Sequence, residues 1–224
     1  MSLSPRTLGA LCAAALTLSA CSNASDNEVS ATKLARGILM PKKAPPPPTA
    51  QQIGQAAAAV LASTSEPVIL VSIPKIKATT VMQRIETNGA YSTFATGDRR
   101  TITLRGGMIT ATRGLGNDVM SSTLDGLQTL ITERRAGEAQ RYMRYLDGED
   151  IIEPVQTSCV VSVEGSSQMV IGEINSPVTT VKEYCRWKQT DFVNSYQVSN
   201  AGRILQSRQW LSERNEYVIV QQLR

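Results

Sequence analysis

From Pro67 onward the chain is a succession of short apolar or alternating apolar–polar runs, each broken by Gly, Asn or Asp. Val68-Ile69-Leu70-Val71-Ser72-Ile73 is rich in β-branched residues and lies between Pro67 and Pro74. A short run of that composition with such borders predicts a buried strand. Residues 80–87 lead into Asn88-Gly89, 91–96 into Gly97-Asp98, 101–104 into Gly106-Gly107, and 108–112 end at Gly114. Asn-Gly and Gly-Gly favour the positive φ of tight hairpins, so these pairs predict antiparallel neighbours. Residues 140–146 and 151–163 predict two strands around Asp147-Gly148, followed by strands at 168–174, 178–184, 192–199, 203–210 and 217–223.

Two stretches carry a helical pattern instead. Thr49 can cap a helix through Ala62, where four consecutive alanines have high helix propensity and Ile53, Val60 and Leu61 can share a face. In 117–135, Leu124, Leu127, Leu130 and Ile131 have helical spacing and predict a short helix. The expected fold is mainly β: an antiparallel open or half-closed β-barrel of about eleven strands with one or two short helices. Several of these strands fall short of the roughly 9–11 residues that a bilayer crossing needs, which argues against a transmembrane barrel.

The N-terminal pattern is different. Arg6 precedes an apolar stretch, residues 8–18, that is too short for a membrane-spanning helix, for which about 20 residues are needed. It fits the hydrophobic region of a secretory signal. The stretch closes on Leu18-Ser19-Ala20-Cys21, a lipobox. Small side chains before the cut suit the signal peptidase, and the Cys21 thiol is the expected site of diacylglyceryl attachment. Each buried acyl CH₂ contributes about 0.8 kcal/mol, so a multi-acylated Cys21 is a stable anchor. Ser22, rather than Asp, at the next position favours outer-membrane sorting. The expected organisation is a signal peptide at 1–20, a lipidated tether at 21–48 that ends in four prolines, and one β-rich domain at 49–224.

Composition narrows the chemistry. The chain has no histidine, which excludes His–metal sites, Ser–His and Cys–His pairs and imidazole proton shuttles. Ten aromatic residues in 224 argue against a stacking nucleic-acid binder or a large carbohydrate platform. Loss of Arg6 with the signal leaves 22 basic and 19 acidic side chains, a net charge of +3 that does not imply nucleic acid. Cys159 and Cys185 are the two cysteines left after Cys12 is removed and Cys21 is lipidated. They are either a disulfide or two buried thiols, and an oxidising periplasm favours the disulfide. No CxxC motif is present to suggest zinc or redox chemistry.

Gly114-Leu115-Gly116 begins like a dinucleotide fingerprint, but Val119 stands where the third glycine belongs. Asp147, Glu149, Asp150 and Glu153 lack EF-hand spacing and read as an acidic hairpin turn. Arg113 and Asp118 flank the glycine turn and are placed to pair across it. Alternation puts Arg208 and Trp210 on one strand face, where they suggest either a cation–π pair or a ligand-facing patch. Arg113, Asp118, Arg208 and Trp210 are therefore the candidate partner or ligand surface, with no catalytic residue, metal site or cofactor expected.

Several segments together resemble the YjbF/GfcB family of bacterial lipoproteins. They are residues 99–105, residues 111–121 with Thr112-Arg113-Gly114-Leu115-Gly116-Asn117-Asp118, and Arg144-Tyr145-Leu146-Asp147-Gly148. The strongest is the run from Phe192-Val193-Asn194-Ser195-Tyr196 through Gly202-Arg203-Ile204 to Ser207-Arg208-Gln209-Trp210. The chain departs from the family pattern at Gln197, where Trp is usual, and at Leu211-Ser212-Glu213, where a Val-Gly-Pro-like turn is usual. The resemblance implies a non-enzymatic outer-membrane lipoprotein, anchored on the periplasmic face and accessory to exopolysaccharide or capsule secretion. Its expected partner is a polysaccharide export protein or the glycan. The competing expectation is a half-barrel carrier that binds lipid or lipid-linked glycan in its concave face.

Overall fold

The computed structural model describes residues 46–146, 152–187 and 190–224. Residues Pro47–Arg224 cluster as one unit. The unit begins with helix α1, Ala50–Ser63, whose start is set by a reciprocal capping box: the Thr49 hydroxyl accepts from the Gln52 amide and the Gln52 side chain accepts from the Thr49 amide. Twelve strands follow: β1 Val68–Ile73, β2 Ala78–Asn88, β3 Tyr91–Ala95, β4 Thr101–Arg105, β5 Met108–Arg113, β6 Val119–Thr123, β7 Gly137–Leu146, β8 Ile152–Ile171, β9 Ile174–Trp187, β10 Thr190–Ser199, β11 Ile204–Ser212 and β12 Glu216–Gln222. A short helix, α2, Leu127–Thr132, lies between β6 and β7.

The strands form one antiparallel sheet in the order β5-β4-β3-β2-β1-β12-β11-β10-β9-β8-β7-β6. Apart from the β1–β12 pairing, each neighbour in that order is also the neighbour in sequence, so local hairpins build almost the whole sheet. The sheet curls into a nearly closed barrel whose edge strands are β5 and β6. These two are consecutive in the chain, joined by the turn at 114–118. Side chains stitch them together: the Val119 amide donates to the Thr112 hydroxyl at 3.1 Å, and the Arg113 guanidinium donates to the Val119 carbonyl at 3.0 Å. Such contacts satisfy edge groups that would otherwise template association.

Two strands differ from the sequence expectation. Residues 151–163 and 168–174 are not separate strands: β8 runs unbroken through Gly165, Ser166 and Ser167 to Ile171, with a bulge between Val163 and Ser166. A bulge absorbs an extra residue while pairing with β9 continues on both sides. Conversely, the start of the helical stretch is strand β6, and only Leu127–Thr132 is helical. These two differences cancel in number, and the sheet has twelve strands against the expected about eleven.

The interior is layered. One apolar cluster includes Ile69, Val71, Met82, Phe94, Ile102, Tyr145, Phe192, Trp210 and Val220. A second joins Leu127 and Ile131 of α2 to Met108, Val161, Val181, Tyr196 and Val198. Along β9 the inward positions run Val181, Glu183, Cys185, so a polar level separates the two. Tight backbone approaches fix the ends. Gly107 has φ +90°, and a Cβ there would lie 2.6 Å from that of Ile204. Gly172, at the β8–β9 turn with φ +56°, would meet the Leu223 carbonyl at 2.6 Å.

Candidate functional site: the polar level and the barrel mouth

Three strands supply the polar level, with β8 lying between two of them. Arg141 on β7, Glu183 on β9 and Asn194 and Tyr196 on β10 all point inward and are essentially without solvent contact. Arg141 grips Glu183 with two parallel bonds, Nε to Oε1 and Nη2 to Oε2, both 2.8 Å. The Tyr196 hydroxyl donates to Oε2 at 2.6 Å, and the Asn194 amide donates to the same oxygen at 2.9 Å. Asn194 in turn accepts from the Trp210 backbone amide at 2.7 Å. Every charge in the group is thus paired and hydrogen-bonded, the condition for a buried ion pair to be tolerated.

Burial alone would raise the Glu183 carboxyl. The Arg141 charge and the bonds from Arg141, Tyr196 and Asn194 outweigh it and hold the group below the usual carboxylate range. Burial, reinforced by the Glu183 charge, pushes the Tyr196 hydroxyl well above the ordinary phenol value. The hydroxyl therefore remains a donor at any physiological pH.

Cys159 and Cys185 face each other across β8 and β9 and are bonded as a disulfide. The Cys185 sulfur lies 3.0 Å from Glu183 Oε1. Cys159, Glu183 and Cys185 have the proximity of a metal site. However, the sulfurs are spent on each other and the carboxylate on Arg141, so the trio offers a metal no thiolate and no free carboxylate. Gln209, one step along the interior, braces the edge strand β5. It accepts from the Ile109 amide at 2.9 Å and donates to the Gly107 carbonyl at 3.2 Å.

At the mouth where β1 and β11 begin and β12 ends, a cleft of about 390 Å³ opens beside α2. Its polar lining includes Arg84, Arg203, Arg224, Gln128 and Gln222, and Phe94 contributes an apolar wall. Arg84 is held by Glu66, with two bonds of 3.0 and 2.8 Å. Arg224 is held by Glu173 at 2.6 Å and also donates to the Thr64 and Leu61 carbonyls at the end of α1.

The residues expected at a partner or ligand surface separate into different roles. Arg113 and Asp118 do not pair with each other. Asp118 accepts from the Thr112 hydroxyl at 2.8 Å and from the Gly114 and Leu115 amides at 2.7 and 3.1 Å, while Arg113 bonds backbone carbonyls. Both hold the barrel seam. The expected Arg208–Trp210 pair is replaced by Arg208 over the Tyr217 ring, 3.2 Å from its centroid. Trp210 is buried and stacks on Phe192, with centroids 4.7 Å apart and planes at 13°. The strand pairing is regular through Arg208 and Trp210, and a bulge follows between Trp210 and Ser212. Cys21 and the acidic turn at 147–150 lie outside the described residues.

The polar level was not among the residues singled out. Its signal is that Glu183 stands in phase with Val181 and Cys185, at an inward position of a strand already recognised. A charge at a core position needs a partner.

The family described as "Group 4 capsule polysaccharide lipoprotein gfcB, YjbF" matches residues 38–223. The chain belongs to this family. A solved structure of similar fold is the hypothetical lipoprotein YmcC from Escherichia coli K12, at 15% identity and a TM-score of 0.66. That match covers 88% of this chain and 97% of the other. A putative exported protein with a YmcC-like fold from Bacteroides fragilis matches at 9% identity and a TM-score of 0.30, covering 71% of this chain and 93% of the other. Among curated proteins, none matches the chain. For this YjbF-family chain, no helix among the described residues is long and apolar enough to cross a membrane.

Proposed function

We propose that the protein is a non-enzymatic accessory lipoprotein of exopolysaccharide or capsule secretion. It would be held at the periplasmic face of the outer membrane by acylated Cys21 and would bind an export protein or the glycan. The observation that carries this reading is the match to a capsule polysaccharide lipoprotein family over residues 38–223. The lipobox at Leu18-Ser19-Ala20-Cys21 supports the anchor independently. The disulfide is consistent with an oxidising compartment. The buried charges are consumed in pairing one another, which fits an internal brace better than a catalytic centre. The alternative, a half-barrel lipid carrier, needs an apolar cavity along the concave face, where this chain has two packed clusters and a polar level.

Deletion of the gene under inducing conditions should reduce release of the polysaccharide, and Cys21→Ser should shift the protein from the membrane to the soluble periplasmic fraction. Unchanged release in the deletion strain would remove the secretion role. Membrane association that survives Cys21→Ser would remove the anchor.

A further inference from the structure

We infer that the cleft at the barrel mouth is a binding site for an acidic sugar unit, such as a uronic acid residue of a glycan chain. This deepens the proposed function by naming a ligand class and a location. The cleft is lined by three arginines and by no Asp or Glu side chain. Arg84 and Arg224 are oriented by Glu66 and Glu173, so their positions are set before a ligand arrives. Arg203 is exposed and has no carboxylate partner among the described residues. Arg84 keeps a guanidinium nitrogen, Nη1, outside its two bonds to Glu66. Arg224 spends all three of its nitrogens on Glu173, Thr64 and Leu61, so a carboxylate entering the cleft would be met by Arg203 and by Nη1 of Arg84.

The rest of the lining suits the sugar to which the carboxylate is attached. The Gln128 and Gln222 amides each offer donors and an acceptor to hydroxyl groups, and the buried Phe94 closes the floor of the cleft. The volume lies within the range of small-molecule sites. The position also suits a chain-like ligand, because the cleft opens outward at the end of the barrel.

Isothermal titration of the whole protein with a galacturonic acid trisaccharide is the test, with a galactose trisaccharide and inorganic phosphate as comparison probes. The acidic trisaccharide should bind, more weakly as salt rises, and the neutral one at least about tenfold less tightly. Arg203→Gln, at an exposed position, should weaken binding about tenfold, with partial recovery in Arg203→Lys. Gln128→Leu should weaken binding of the acidic sugar. Equal affinity for the neutral sugar, or no change in Arg203→Gln, overturns the inference. Phosphate binding as tight as the uronate trisaccharide, with Gln128→Leu silent, makes the cleft a simple anion site and also overturns it. In cells, Arg203→Gln should lower polysaccharide release while leaving the protein in the membrane. Normal release in that strain, beside defective release in the deletion strain, would refute the cleft and leave the secretion role standing.

Discussion

Replacing Glu183 by glutamine tests whether the polar level is a brace held together by charge. The side chain keeps its shape, so packing in the adjoining clusters is preserved. What changes is the donor–acceptor count. The carboxylate accepts four hydrogen bonds, two from Arg141 and one each from Tyr196 and Asn194. Glutamine offers one oxygen and turns the other position into a donor facing donors. Arg141, with a side chain only 3% exposed, would then carry a buried charge without a counter-ion. Breaking a buried pair in this way costs about 3–5 kcal/mol. For a unit of this size that corresponds to a fall in Tm of about 6–20 °C. Urea unfolding should show the midpoint falling with the slope unchanged. The double variant Arg141→Met/Glu183→Leu removes both charges and should recover much of the loss, because apolar replacements of a buried pair are often neutral. A Glu183→Gln variant within about 0.5 kcal/mol of the parent would refute the reasoning, since that is the range of an ordinary surface change.

The same pair sets a pH dependence. The folded Glu183 carboxyl lies below its ordinary value of 4.5, so its stabilisation is fully present above that pH and is lost as pH falls toward the folded value. The stability difference between parent and Glu183→Gln should therefore be constant at neutral pH and shrink below about 4.5; urea midpoints that keep a constant gap down to pH 3 would contradict this. Reducing the Cys159–Cys185 bond, or replacing both cysteines by serine, should cost about 3–4 kcal/mol for a separation of 26 residues, read as a lower urea midpoint with reductant. Asp118→Ala removes the acceptor for two turn amides and the Thr112 hydroxyl, and should lower stability by about 1–3 kcal/mol while amide exchange speeds first in the β5–β6 turn. Trp210→Ala should cost about 3–5 kcal/mol and remove most near-ultraviolet dichroism, because the indole is stacked in the core rather than displayed to a ligand.

Local signals were enough to read the antiparallel β architecture, because nearly every strand pairs with its sequence neighbour and the turns between them carry Gly, Asn or Asp. The helix cap at Thr49 and the Cys159–Cys185 pair were legible for the same reason: a cap is a four-residue event, and two cysteines admit one pairing. Where the pattern depends on what lies across the sheet, the local reading failed. Gly165-Ser166-Ser167 lies between two expected strands, yet β9 supplies a partner ladder on both sides and the segment is a bulge within one strand. Arg208 and Trp210 alternate in phase, yet the indole is stacked on Phe192 in the core and the guanidinium lies over Tyr217. The polar level and the mouth cleft were decided by tertiary structure alone. Arg141 and Glu183 are 42 positions apart, and Arg84, Arg203 and Arg224 come from opposite ends of the domain. The β7-β8-β9 hairpins bring Arg141 to Glu183, and the pairing of β1 with β12 gathers the three arginines, since the hydrogen bonds and charges involved act over a few ångströms of space and not along the chain.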